Sequence, residues 1–172
     1  MHLIDLTCAD TQPLEFSGRV RPASETCSDD VVRVGELLIG GVVERTSRGY
    51  QLSGRLEGEV VLRCARCLGE FSLRLAEPLG IELLPLSAAP REDEIRLGRE
   101  ELEVLFFESP TLDLAAIAGE QVQLAVPMKP LCGDGCKGLC ARCGKSLNEG
   151  ACECVPQTDD RWAPLSQWRD NQ

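Results

Sequence analysis

Six of the chain's ten cysteines fall within 24 residues, LCGDGCKGLCARCGKSLNEGACEC at 131–154, at positions 132, 136, 140, 143, 152 and 154. Upstream, LRCARCLGEF at 62–71 repeats the word CARC and adds Cys64 and Cys67. Cysteines at this density are cross-linked, redox-active or bound to metal. A chain of 172 residues is long enough to bury a core and does not need disulfides in order to fold. Its start, MHLIDLTCAD, lacks the basic and apolar regions of a secretory signal. No apolar run is long enough to span a membrane. The expected compartment is therefore the cytosol, where thiols stay reduced and dense cysteines more often ligate metal. Disulfides formed after export and redox thiols remain the alternatives.

Spacing sorts the cysteines into pairs: Cys64/Cys67, Cys132/Cys136, Cys140/Cys143 and Cys152/Cys154. A closed zinc site takes four ligands in a tetrahedron, so eight cysteines make two sites with none left over. Cys140, Cys143, Cys152 and Cys154 form one compact knuckle, because GKSLNEGA between the pairs is short and can turn back. Cys64 and Cys67 then join Cys132 and Cys136, stapling a hairpin tip to the segment after a helix. A single site, or an exchange of Cys136 with Cys140, is the competing arrangement. Gly133, Gly135, Gly138 and Gly144 suit tight bends around sulfur. Cys8 and Cys27 have no near partner.

The remaining pattern is that of a sheet. LIDLT and LEFSGRV near the start read as short strands joined by polar turn residues, and TCSDD at 26–30 as a loop. ELLIGGVVER precedes a Ser47-Arg48-Gly49 turn. Leu52, Leu56, Val60 and Leu62 then alternate with Gln51, Ser53, Arg55, Glu57 and Glu59. That is a period of two, the mark of a half-buried strand. Phe71, Leu73 and Leu75 resume it after CARCLG, which puts Cys64 and Cys67 at a hairpin tip. SAAPREDE at 87–94 reads as a charged linker and LEVLFF at 102–107 as a strand. TLDLAAIAGEQVQLAVP reads as a helix capped by Thr111 or Asp113 and stopped by Pro127. Its apolar stripe is Leu114, Ile117, Val122 and 124–126. Trp162 and Trp168 lie in a polar tail, 155–172, as packing residues of a short terminal helix.

Net charge is −10, which favours solubility and, for the chain as a whole, repels nucleic acid. Residues 60–75 carry +2 and 127–154 carry +1, so the rest carries −13. The cysteine-bearing segments are the locally basic part. Enzyme chemistry has little to stand on. His2 is the sole histidine, and there is no phosphate-binding GxxxxGK[ST] and no zinc deaminase signature. Glu92, Asp93, Glu94, Glu100, Glu101 and Glu103 read as a solvated face.

CARCLGEF, the Glu120-Gln121 helix leading to LAVPMKPLC, and CKGLCARCGKSLNEGACEC together resemble the YceD family, named for large ribosomal RNA subunit accumulation. The resemblance runs over 36–154; the first thirty residues carry no comparable signal, and DDRWAPLSQW resembles family C-termini. It implies a non-enzymatic role in the synthesis, processing or stability of large-subunit (23S) rRNA, with no small-molecule substrate. Family members can lack part of the downstream cysteine cluster, which implies that the second metal site is a stabilising addition. The expected fold is α+β in one domain at 1–154: an antiparallel, barrel-like sheet, one main helix and a C-terminal zinc knuckle. The expected metal ligands are Cys64, Cys67, Cys132, Cys136, Cys140, Cys143, Cys152 and Cys154, holding one or two zinc ions. The expected rRNA contacts are Arg63, Arg66, Lys129, Lys137, Arg142 and Lys145. Expected partners are large-subunit rRNA or a pre-ribosomal particle, with a basic ribosomal protein suited to the acidic remainder. A thiol redox or zinc-release switch and a protein-only adaptor are the alternatives.

Overall fold

A computed structural model describes residues 3–23, 27–90, 103–154 and Arg161. The expectations for His2, Glu92, Asp93, Glu94, Glu100, Glu101, Trp162 and Trp168 lie outside the described residues. The backbone divides into two compact units, Met1–Ala65 with Gly69–Cys132, and Arg66–Leu68 with Gly133–Gln172.

The first unit is built on one long hairpin. Strand β5 spans Tyr50–Arg63 and β6 spans Glu70–Pro85. They pair without a break from Tyr50↔Leu83 to Arg63↔Glu70. The period-two pattern explains the pairing. Leu52, Leu56, Val60 and Leu62 are fully buried, as is Leu83, with Leu75, Leu79 and Ile81 nearly so. The charged residues between them face outward. Each buried leucine contributes on the order of 2 kcal/mol. A one-residue slip would turn the whole set to water, which is why the register holds.

The other strands add to this ladder. Strand β4 (Leu37–Arg45) pairs antiparallel with β5, and β2 (Leu14–Val20) with β4. Strand β3 (Val31–Val34) pairs with the far end of β5 across a register shift between Val31 and Arg33. Strand β7 (Val104–Phe107) runs parallel to β6, Glu82↔Val104 to Pro85↔Phe107. The sheet therefore reads β2-β4-β5-β6-β7, with β3 off that path on β5. This corrects two expectations. Among the described residues no pairing joins β2 to β7, so the sheet is open and not a closed barrel. It is also not wholly antiparallel, because the chain between β6 and β7 is long enough to return before pairing. LIDLT pairs elsewhere: β1 (Leu3–Asp5) lies against β8 (Thr111–Asp113) in a separate two-stranded sheet.

Helix α1 spans Leu114–Ala125. The Asp113 side chain caps it by accepting from the Ala115 N–H at 2.9 Å. Val126 is extended at its end, as the residue before a proline prefers. Leu114, Ile117, Ala118 and Val122 are buried in the same core as the sheet. Leu124 departs from the expected stripe and is 79% exposed. Two positions beyond Val122 is about 200° around a helix, so Leu124 points away. Opposite α1's entry, a 3-10 turn at Leu6–Ala9 is tied to the sheet by Asp10. Its carboxylate oxygen accepts from the Tyr50 hydroxyl at 2.9 Å and from Arg45 Nη1 at 3.1 Å. Burial and then the Asp10 carboxylate push the Tyr50 phenol above its ordinary pKa.

Gly41 and Gly54 face each other across β4 and β5. A Cβ on Gly54 would run into the Gly40 carbonyl oxygen, and one on Gly41 into the Ser53 carbonyl oxygen. The two backbones approach more closely than any side chain allows. Gly54→Ala is expected to lower stability by roughly 1–3 kcal/mol through overpacking. Asp113→Ala should cost about 1 kcal/mol through the lost cap. The midpoint of urea unfolding reads both, at unchanged slope.

Candidate metal centre

The hairpin tip carries the first CARC. Cys64 is fully buried, and its N–H donates to the Gly69 carbonyl at 2.9 Å, closing the turn. The next N–H, that of Ala65, donates to the Pro130 carbonyl at 2.8 Å, and the Cys132 N–H points at Cys64 Sγ at 3.4 Å. The second CARC folds alike. The Cys140 N–H donates to the Lys145 carbonyl at 2.8 Å, and the Gly144 N–H returns to the Cys140 carbonyl at 2.9 Å. The Arg142 N–H lies 3.4 Å from Cys140 Sγ.

Both turns need a left-handed residue straight after the second cysteine. Gly144 supplies it with φ +71°, at little cost. In the first turn the position is Leu68, the one non-glycine residue with positive φ among the described residues, at +59°. A leucine held there costs about 1–2 kcal/mol. Aligning the two CARC words sets Leu68 against Gly144, and that is the signal in the sequence that marks it.

The sulfurs lie in two sets. Cys64, Cys67, Cys132 and Cys136 have Sγ atoms all within 4.8 Å of one another, and so do Cys140, Cys143, Cys152 and Cys154. Four thiolates on a tetrahedral ion with bonds near 2.3 Å stand about 3.8 Å apart. Each set can therefore hold a metal ion with little rearrangement. Cys8 and Cys27 belong to neither set.

Charge makes the same argument. The backbone N–H groups of Cys143 and Arg142, with the neighbouring thiols, hold Cys140 down to about 6. Cys154 is pushed up to about 12, first by its contact with the Cys143 sulfur and then by burial and the other sulfurs. Four sulfurs this close cannot all be anionic by themselves, so one takes the charge and another keeps its proton. A divalent cation replaces those protons and lets all four ionise.

Asn148 is a residue the spacing argument missed. It sits between the two cysteine pairs of the second set. Its Oδ1 accepts from the Lys137 N–H at 2.7 Å, and its Nδ2 donates to Cys136 Sγ at 3.4 Å. Arg66 also serves this turn, donating from Nη1 to the Cys136 carbonyl at 3.0 Å. The basic residues Arg63, Arg66, Lys129, Lys137, Arg142 and Lys145 are all exposed. Lys145 Nζ reaches the Ala151 carbonyl at 3.3 Å. Glu103 is exposed too, consistent with a solvated face.

The family pattern described as large ribosomal RNA subunit accumulation protein YceD matches residues 52–168, a span that includes both sulfur sets and runs into the tail. An uncharacterized protein of Mycobacterium tuberculosis is 32% identical over 127 residues, which is 72% of this chain and 57% of that one. A chloroplastic large ribosomal RNA subunit accumulation protein YceD homolog 1 of Arabidopsis thaliana is 30% identical over 64 residues, 37% of this chain and 20% of that one. Its namesake in Zea mays is 25% identical over 152 residues, 75% of this chain and 52% of that one. The chain thus spans little more than half the length of the mycobacterial and maize relatives. No solved structure matches.

The left-handed Leu68 yields a test. Leu68 is 60% exposed, so Leu68→Gly loses little packing and should raise stability by about 1 kcal/mol. Leu68→Val should lower it, since a β-branched residue resists positive φ. Thermal midpoints of the two variants, measured side by side, read the difference.

Proposed function

The chain belongs to the YceD family, and from that premise we propose that it is a non-enzymatic ribosome biogenesis factor acting on large-subunit (23S) rRNA. The observation that carries this reading is the family match over residues 52–168. The plant relatives are named for accumulation of large ribosomal RNA and not for a reaction. The metal in our reading is Zn²⁺, which suits four thiolates in a closed site and has no redox chemistry of its own. Its role is structural: each ion fixes a turn that local hydrogen bonds alone hold weakly.

The rRNA contacts in this reading are Arg63, Arg66, Lys129, Lys137, Arg142 and Lys145, meeting phosphate and so positioning the protein without reading sequence. The partner is large-subunit rRNA or a pre-ribosomal particle in the cytosol. The acidic remainder of the chain is directed at a basic ribosomal protein.

Two experiments test the proposal. Protein purified without chelator should carry two zinc ions. Cys8 and Cys27 should be the thiols open to reagent before unfolding, and all ten should react after it. Binding to large-subunit rRNA fragments should weaken steeply with salt. Arg142→Glu and Lys129→Glu should each lower the salt slope by about 1. Unchanged binding in both variants counts against this contact surface. Association with the particle but not with naked rRNA would transfer the contact to a ribosomal protein.

A further inference from the structure

The loop between Cys143 and Cys152 does more than join two cysteine pairs. Leu139 bridges Ser146, and the Leu147 N–H donates to the Gly138 carbonyl at 2.8 Å. This short ladder lays residues 146–148 alongside 137–139. At its end the Asn148 carboxamide takes the place of the backbone. Its Oδ1 accepts from the Lys137 N–H at 2.7 Å. A backbone N–H can only donate, so this bond fixes which end of the amide is oxygen. The NH₂ end is thereby turned to Cys136 Sγ, 3.4 Å away. Gly138 supports the same arrangement. Its φ is +75°, and a Cβ there would stand 3.0 Å from the Arg66 carbonyl oxygen.

Cys136 is grouped with Cys64, Cys67 and Cys132, whereas the loop that carries Asn148 is closed by Cys140, Cys143, Cys152 and Cys154. An amide N–H donated to a sulfur fixes its position and offsets charge on it. Outer groups of this kind commonly govern metal affinity by 10- to 100-fold. We propose that Asn148 is a positioning residue that couples the two metal centres: the loop folded by the second sulfur set holds Cys136, a ligand of the first, through the two bonds of one carboxamide. Filling the second set orders the loop and so strengthens the first. By linkage the effect is mutual, and an ion on Cys136 steadies the loop around the second.

The inference rests on the zinc reading above, and one experiment separates the two. Zinc release from the full-length, zinc-loaded chain is followed with a chromogenic chelator, together with total zinc by mass spectrometry. The wild type should hold two ions. Asn148→Asp keeps an acceptor for the Lys137 N–H but presents a carboxylate oxygen to the sulfur. It should release the ion of the first set about 10- to 100-fold faster and, because the coupling is mutual, the other ion faster than in the wild type as well. Two ions bound at saturating zinc report that the variant is folded. The double variant Cys152→Ser with Cys154→Ser should lose one ion outright and hold the remaining one more weakly. Adding Asn148→Asp to it should then have little further effect. Two ions released at wild-type rates from Asn148→Asp would overturn the coupling and leave the zinc reading intact. A wild type without two zinc ions would overturn both. Should Asn148→Ala, which removes both bonds, fail to retain either ion, Asn148→Asp remains the deciding variant.

Discussion

The unbroken register between β5 and β6 is the constraint on which the first unit depends. Fourteen residues of β5 find partners on β6, and the pairing sets which side chains face the core. It also sets where the chain turns. The ladder ends at Arg63↔Glu70, so the next residues must form the tip, and they are Cys64 to Gly69. Strands β4, β3 and β7 then add to edges already aligned, and α1 covers the apolar face that the alternation creates.

A different logic governs the cysteine-rich unit. Gly133–Gln172 contains no strand or helix of ordinary length among its described residues, where tight turns and the short pairing of 137–139 with 146–148 hold the chain. Cys136 and Gly138 are the buried members of its described part. Burial this slight contributes little against the entropy of ordering those described residues. Small modules of this type draw their stability from cross-links or metal. The opposite displacements of Cys140 and Cys154 fit that view, since a sulfur cluster without a cation must divide charge and protons unequally.

Much of the fold was legible in the sequence, for reasons that differ by element. β5 and β6 were plain because one buried face imposes a period of two over many residues. The Asp113 cap and the Pro127 stop were local chemistry. The rest depended on contacts that no local pattern records. β3 has four residues and a register shift, too short a run for periodicity. The parallel pairing of β7 and the open order of the sheet are set by where distant segments meet, and the expected barrel erred there. At the candidate site the sulfurs and their spacing could be counted. Asn148 could not be singled out, because a lone asparagine in a glycine-rich turn looks like any other turn residue. Leu68 was marked by its alignment with Gly144 alone, because an apolar residue does not by itself declare a left-handed bend.

The strand order stops at β2, which leaves one margin of the sheet with backbone N–H and C=O groups that no described strand satisfies. Such a margin invites another chain to add itself, the first step toward insoluble assembly. The sequence brackets it against that outcome. Pro13 and Pro22 stand just outside the two ends of Leu14–Val20, where each withholds a donor and limits the length over which a stranger can dock. Between them Glu15, Ser17 and Arg19 are exposed, so an intruding strand would have to desolvate two opposite charges. The same seven residues that complete the sheet also limit its growth.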